Sequence, residues 1–200
     1  MNVGIDIDGV LADSVPSFLA LLNLMFGRQW TPADIVTYRF EDALHISEDD
    51  AAHFWKLFAR QGGWSRIRPI KGAVEFTTRL AKKHAIILVT GRPRHYVEIE
   101  TKAWLRQHKI AYDELIFVGN DEDKLQASRG AGFRLDLLIE DSYEYGKPLA
   151  DAGIPVLLID YPWNRNIPAH PHIRRIRSLA DAPKIILEIE QQARQQIKQS

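Results

Sequence analysis

Residues 3–10 read VGIDIDGV, an apolar run that closes on two aspartates and a glycine. Val3, Ile5 and Ile7 favour extended chain, and nothing polar interrupts the run before Asp6. Such a run reads as a strand buried on both faces, the habit of a parallel sheet covered on either side. Four more runs of this kind follow at residues 85–90 (AIILVT), 115–118 (LIFV), 137–140 (LLIE) and 156–160 (VLLID). Helical patterns lie between them at 72–84, 93–108, 122–129 and 143–152, with Pro93 suited to a first helical position. A last helix is expected over 178–200. Strand alternating with helix predicts a Rossmann-like α/β fold, a doubly wound parallel sheet of five strands.

One connection is too long. A strand–helix–strand crossover needs roughly 30 residues. The first strand ends near residue 7 and the second starts near 85, a surplus of roughly 50 that is too large for a plain loop. The surplus has helical patterns of its own. Ser14 opens one with Phe18, Leu19, Leu22 and Phe26, and Gly27 can stop it. Ser47 opens another with Phe54, Leu57 and Phe58, ending at Gly62 and Gly63. The expected organisation is an α/β core of residues 1–13 and 71–200 with a helical cap of residues 14–70. The cap segment holds about half of the chain's aromatic residues. Most of these should form the cap's own core. Tyr38, Phe40 and Trp64 are the residues expected to face a substrate.

Composition narrows the function classes. Lys plus Arg and Asp plus Glu are both 26, so the chain is formally neutral. Binding to a nucleic-acid backbone needs a surplus of positive charge, so that class is disfavoured. An apolar fraction of 46% excludes a disordered chain. The absence of cysteine excludes disulfides, thiolate zinc sites and cysteine nucleophiles, and suits a cytoplasmic protein. No run has the length or apolarity of a leader or a membrane span, so neither is expected.

In an open parallel sheet, ligands bind beyond the carboxyl ends of the strands. Here those ends read Asp6-Ile7-Asp8-Gly9, Thr90-Gly91-Arg92 and Glu140-Asp141-Ser142. One aspartate at a strand end is more often a helix cap than a functional group; three polar strand ends together are not explained that way. In extended chain, Asp6 and Asp8 point to the same side, where two carboxylates repel unless a cation or a shared proton relieves them. Adding Glu140 and Asp141 makes an all-oxygen donor set, which favours a hard ion, Mg²⁺ first. Mg²⁺ on few carboxylates suits phosphate chemistry. Gly9 and Gly91 permit close backbone approach to a phosphate, Thr90 offers a hydroxyl and Lys124 a positive charge.

DIDGV (6–10), VTGR (89–92), Lys124 and IEDS (139–142) resemble, in order, the four motifs of the haloacid dehalogenase superfamily. The resemblance implies a sheet order of 5-4-1-2-3 and a cap inserted after the first motif. It implies Asp6 as nucleophile and Asp8 as general acid and then base. It implies Mg²⁺ held by Asp6, the backbone carbonyl of Asp8 and Asp141, with Glu140 orienting metal-bound water. Gly9, Thr90, Gly91 and Lys124 would bind phosphate, with Arg129 the alternative cation. The acid at Asp8 argues against dehalogenation. DIDGVLADS, Asn23–Gly27, KGAVEFTTRL (71–80), Trp104-Leu105 and DYPWNR (160–165) further resemble the cytosolic type C deoxyribonucleotidases and their bacterial relatives. That implies a Mg²⁺-dependent 5′-nucleotidase acting on nucleoside monophosphates through an aspartyl-phosphate. The alternatives are a phosphatase of a sugar phosphate or of a nucleic-acid 3′-end, or a non-catalytic phosphate-sensing domain. The expected partner is a small phosphorylated metabolite, with a homodimer left open and no membrane involved.

Three remaining signals have blander readings. His170 and His172 are close but lack a third metal ligand, so a solvated loop is expected. Arg174, Arg175 and Arg177 read as a solvated basic face. Trp163 and Asn164 follow the fifth strand and could either face the active edge or anchor their loop.

Overall fold

The computed structural model describes residues 1–119 and 122–199. The chain enters on β1 (Asn2–Ile5) and turns into β2 (Ala12–Asp13). It then forms α1 (Ser14–Phe26), α2 (Phe40–Leu44), α3 (Glu48–Arg60) and α4 (Gly63–Arg66) and returns on β3 (Arg68–Pro69). The core continues through α5 (Ala73–Leu80), β4 (Ala85–Thr90), α6 (Arg94–Gln107), β5 (Glu114–Phe117) and α7 (Lys124–Gly130). It closes with β6 (Leu137–Glu140), α8 (Tyr143–Asp151), β7 (Val156–Ile159), β8 (Ile173–Ile176) and α9 (Ala182–Gln199). Pro93 sits just outside α6, at its cap, rather than at the first helical position.

The main sheet runs β5-β4-β1-β6-β7-β8 and every pairing in it is parallel. The five expected strands stand in the expected 5-4-1-2-3 order, but among the described residues the sheet has six strands. β8 extends it beyond β7, so the five-stranded expectation is corrected. The reason it escaped notice is its sequence, Ile-Arg-Arg-Ile, which presents two arginines where the other strands are apolar. Charge on an edge strand guards its unpaired side. Those arginines are not simply solvated. Arg174 pairs with Glu188 at 2.6 Å, and Arg175 with Asp160 at 3.1 Å and the side chain of Asn164 at 2.7 Å.

The unbroken apolarity of the strands has a direct cause. Along β4, Ile86 and Leu88 enter one hydrophobic cluster while Ile87 and Val89 enter another. Along β6, Leu137 and Ile139 separate from Leu138 in the same way. Successive side chains point to opposite faces, and both faces are covered by helices.

The helices between β1 and β4 are tied at their base by β2 and β3, which pair antiparallel as Ala12 with Pro69 and Asp13 with Arg68. α1 ends at Gly27, left-handed at φ 60°. α3 begins where Ser47 accepts the N–H of Asp50 at 3.2 Å, with Glu48, Asp49 and Asp50 suited to the positive end of the helix dipole. Phe18 is the hub of this unit. Its ring meets Phe54, Trp55, Phe58 and Trp64 edge-on with centroids 5.1–6.0 Å away, the arrangement aromatic quadrupoles favour.

Candidate active site

β1 and β6 deliver the acids. Beyond Ile5 the Asp6 N–H still donates to the Ile139 carbonyl at 3.0 Å, so Asp6 stays at the sheet edge. The chain then bends at Ile7, whose carbonyl accepts the N–H groups of Leu11 and Ala12, both at 2.8 Å. Gly9 takes φ +75° inside this turn, and a Cβ there would overlap the Asp141 carboxylate. Glycine is therefore required twice, by the turn and by the close approach of β6.

Lys124 sits in the first turn of α7 and is buried. Its Nζ lies 2.5 Å from Asp6 Oδ1 and 2.7 Å from Glu140 Oε2. Arg129 is exposed further along α7, so Lys124 is the cation that reaches Asp6. Burial alone would lower the lysine, but the charges of Asp6 and Glu140 outweigh it and hold its pKa up. The ring of Tyr145 lies 5.2 Å from the same ammonium. Glu140 is saturated by its neighbours: Oε1 accepts the N–H groups of Asp141 at 3.2 Å and Ser142 at 3.1 Å.

Asp141 differs. Its backbone carbonyl is gripped by Trp163 Nε1 at 3.0 Å and Asn164 Nδ2 at 2.7 Å, so these two residues anchor the acid-bearing turn. Yet its side-chain Oδ1 is buried with no hydrogen-bond partner. Oxygens of Asp6, Glu140 and Asp141 all lie within 4.8 Å of one another. Burial pushes Asp6 up to about 7, against the pull of Lys124, and burial with the charges of Glu140 and Asp6 pushes Asp141 well above its ordinary range. Three buried acids sharing one ammonium, with one orphaned oxygen, fit a hard divalent cation bound through oxygen.

Asp8 stands apart from that trio. Its two side-chain oxygens accept from Arg92 Nε at 2.7 Å and Nη2 at 2.8 Å, a bidentate fork. Arg92 is itself buried; it donates to Thr101 Oγ1 at 3.2 Å and lies 4.7 Å from the Trp64 ring and 5.8 Å from that of Trp104. Trp64 belongs to α4 and Trp104 to α6, so one guanidinium joins α4, α6 and Asp8. Sequence reasoning had no target for Arg92, because the pairing spans 84 residues. Its position directly after Gly91 at a strand end was the available signal.

A cavity of about 710 Å³ opens over these groups, between the strand ends and the helices α1, α3 and α4. Asp6, Asp8, Thr90 and Gly91 lie on its floor side, and Tyr38, Trp55 and Trp64 are among its walls. Thr90 is buried and its hydroxyl accepts the Arg92 N–H at 3.2 Å. Tyr38 meets Tyr145 edge-on at 5.6 Å. Phe40 does not line the cavity. It is buried against Phe54 and Trp55, with centroids at 5.3 and 5.4 Å, inside the main hydrophobic cluster. His170 and His172 lie elsewhere, with His170 Nε2 3.2 Å from Asp151.

This sheet order, with acids on adjacent strand ends and a lysine bonded to them, is a haloacid dehalogenase-like fold. Solved structures agree on the fold. A haloacid dehalogenase-like hydrolase from Streptococcus pneumoniae superposes with a TM-score of 0.69 at 14% identity, over 92% of this chain and 97% of that one. A haloacid dehalogenase-like hydrolase from Xanthomonas campestris superposes with a TM-score of 0.64 at 17% identity, over 98% of each chain. The model of the 5′ nucleotidase, deoxy (pyrimidine), cytosolic type C protein family matches residues 1–196, and the chain belongs to that family of nucleotidases. A nucleotidase of Clostridium acetobutylicum is 31% identical over 166 residues, covering 82% of this chain and 83% of the relative. Among the described residues no helix is long and apolar enough to cross a membrane.

Proposed function

We propose that this protein removes the 5′-phosphate of (deoxy)nucleoside monophosphates in a Mg²⁺-dependent reaction through an aspartyl-phosphate on Asp6, and works in the cytoplasm. The observation that carries this reading is Asp6 itself, bonded to Lys124 and adjoining the orphaned oxygen of Asp141 at the floor of an aromatic cavity. The cation would be held by Asp6, the backbone carbonyl of Asp8 and Asp141. When bound, it supplies positive charge that offsets repulsion between the phosphate and the carboxylate nucleophile.

In the first half-reaction an Asp6 oxygen forms a bond to phosphorus as the bond from phosphorus to the ester oxygen breaks. Asp8 gives its proton to that departing oxygen. In the second, Asp8 takes a proton from water, the water oxygen bonds to phosphorus, and Asp6 is released as a carboxylate with inorganic phosphate. Arg92 keeps the Asp8 side chain beside the cavity, through one oxygen while Asp8 carries the proton and through both once it is a carboxylate. Lys124, Thr90 and the backbone at Gly9 and Gly91 hold the phosphoryl oxygens as charge builds on them. Trp55 and Trp64 are stacked at 9° with centroids 5.8 Å apart, and such walls suit a flat nucleobase better than a sugar phosphate. The Asp6→Asn variant tests the assignment. Wild-type protein with Mg²⁺ should release phosphate from a nucleoside monophosphate, and Asp6→Asn should not; activity intact in Asp6→Asn would remove Asp6 as the nucleophile.

A further inference from the structure

α3 divides its surface in two. Ala51, Phe54 and Phe58 are buried in the cap. Ala52, Trp55, Lys56, Ala59 and Arg60 line the active-site cavity. Their spacing of three and four residues places all five on one stripe of the helix. The two alanines leave space, the indole forms a wall, and the two cations are exposed into the cavity. Among the described residues neither Lys56 nor Arg60 has a salt bridge or side-chain hydrogen bond. The cap's Arg39, by contrast, engages Glu41, and Arg94 engages Glu98 on α6. The reacting phosphate has its own cation in Lys124, which is buried and bonded to Asp6. Lys56 and Arg60 thus give the same cavity a second positive locus on its cap wall.

We propose that the preferred substrate is a phosphomonoester that carries a second anionic group, on the sugar or on the base, and that Lys56 and Arg60 receive it. This deepens the nucleotidase reading and rests on it. The acidic floor takes the phosphate to be cleaved, the aromatic walls take the flat body, and the cationic stripe selects the second charge. A nucleoside 3′,5′-bisphosphate and a nucleotide with a carboxylate on its base are the two forms this chemistry admits.

Binding is measured by calorimetry with Mg²⁺ on the Asp6→Asn protein, using uridine 5′-monophosphate, uridine 3′,5′-bisphosphate and orotidine 5′-monophosphate. At least one of the two ligands that carry a second anionic group should bind about tenfold tighter than the monophosphate, with the advantage shrinking between 50 and 500 mM salt. Adding Lys56→Gln and Arg60→Gln together should bring the affinity ratio close to one. Both positions are exposed, so the fold should tolerate the change. Equal affinity for all three ligands, or an advantage that survives the double substitution, overturns the proposal. Turnover by the wild type is followed separately. A binding advantage without phosphate release from any of the three would overturn the nucleotidase reading while supporting the second anion site.

Discussion

Arg92→Gln removes the fork that holds Asp8. Two charge-assisted hydrogen bonds at 2.7 and 2.8 Å are lost, with the weaker bond to Thr101 and the contact with Trp64. Breaking one side of a buried charged pair costs several kcal/mol, but the Asp8 side chain is 24% exposed and water can take over part of its solvation. A loss of about 2–3 kcal/mol in unfolding free energy is expected, including roughly 0.5–1 from the aromatic contact. The kinetic effect should be larger than a loss of stability explains. A positioned acid–base group contributes about 10²–10⁴ in rate. With Asp8 free to rotate, kcat should fall about 10–100-fold, equivalent to roughly 1.4–2.7 kcal/mol of transition-state stabilisation, with KM changed less than about threefold. Steady-state phosphate release is measured for Arg92→Gln, Asp8→Asn and the double variant, at a temperature where urea titration shows all three folded. If Arg92 acts through Asp8, the double variant should match Asp8→Asn within about threefold. Losses that multiply would refute the reasoning and place Arg92 on the substrate directly. Arg92→Lys should restore little, because an ammonium cannot make the bidentate fork.

Two further outcomes follow from burial. Asp6, at about 7 in the metal-free protein, keeps a proton that the unfolded chain has lost above the usual 3.8, so the folded state binds more protons between those values. In EDTA, stability should therefore fall as pH rises from about 4 through 7, and Mg²⁺ affinity should rise over the same interval; urea titration and calorimetry at several pH values check both, and opposite slopes would refute the assignment. Phe40→Ala should cost about 3 kcal/mol of stability by opening a hole beside Phe54, with KM within about twofold of wild type, and a tenfold rise in KM would return Phe40 to the substrate-facing set.

Much of this was legible in the residues. The strands of the main sheet other than β8 were visible because a parallel sheet buried on both faces needs unbroken apolarity, and Val3, Ile86–Val89 and Leu137–Ile139 supply it. The convergence of Asp6, Thr90 and Asp141 followed from parallel strands ending on one edge. The strand Ile173–Ile176 was not visible, since an edge strand satisfies its backbone with one neighbour and needs no apolar run. Phe40 could not be sorted from Tyr38 and Trp64, because an aromatic looks the same in sequence whether it fills a cap or walls a cavity.

Local chemistry therefore determined which residues form the elements and which polar groups reach the active edge: backbone propensity and hydrophobic burial act over a few residues and leave a periodic trace. Only the tertiary structure decided the pairings. Lys124 rather than Arg129 meets Asp6 across 118 residues, Arg92 meets Asp8 across 84, and Lys56 and Arg60 are left facing the cavity unpaired among the described residues. Electrostatic partners are chosen by distance and burial once the chain has closed, and spacing along the sequence carries no record of either.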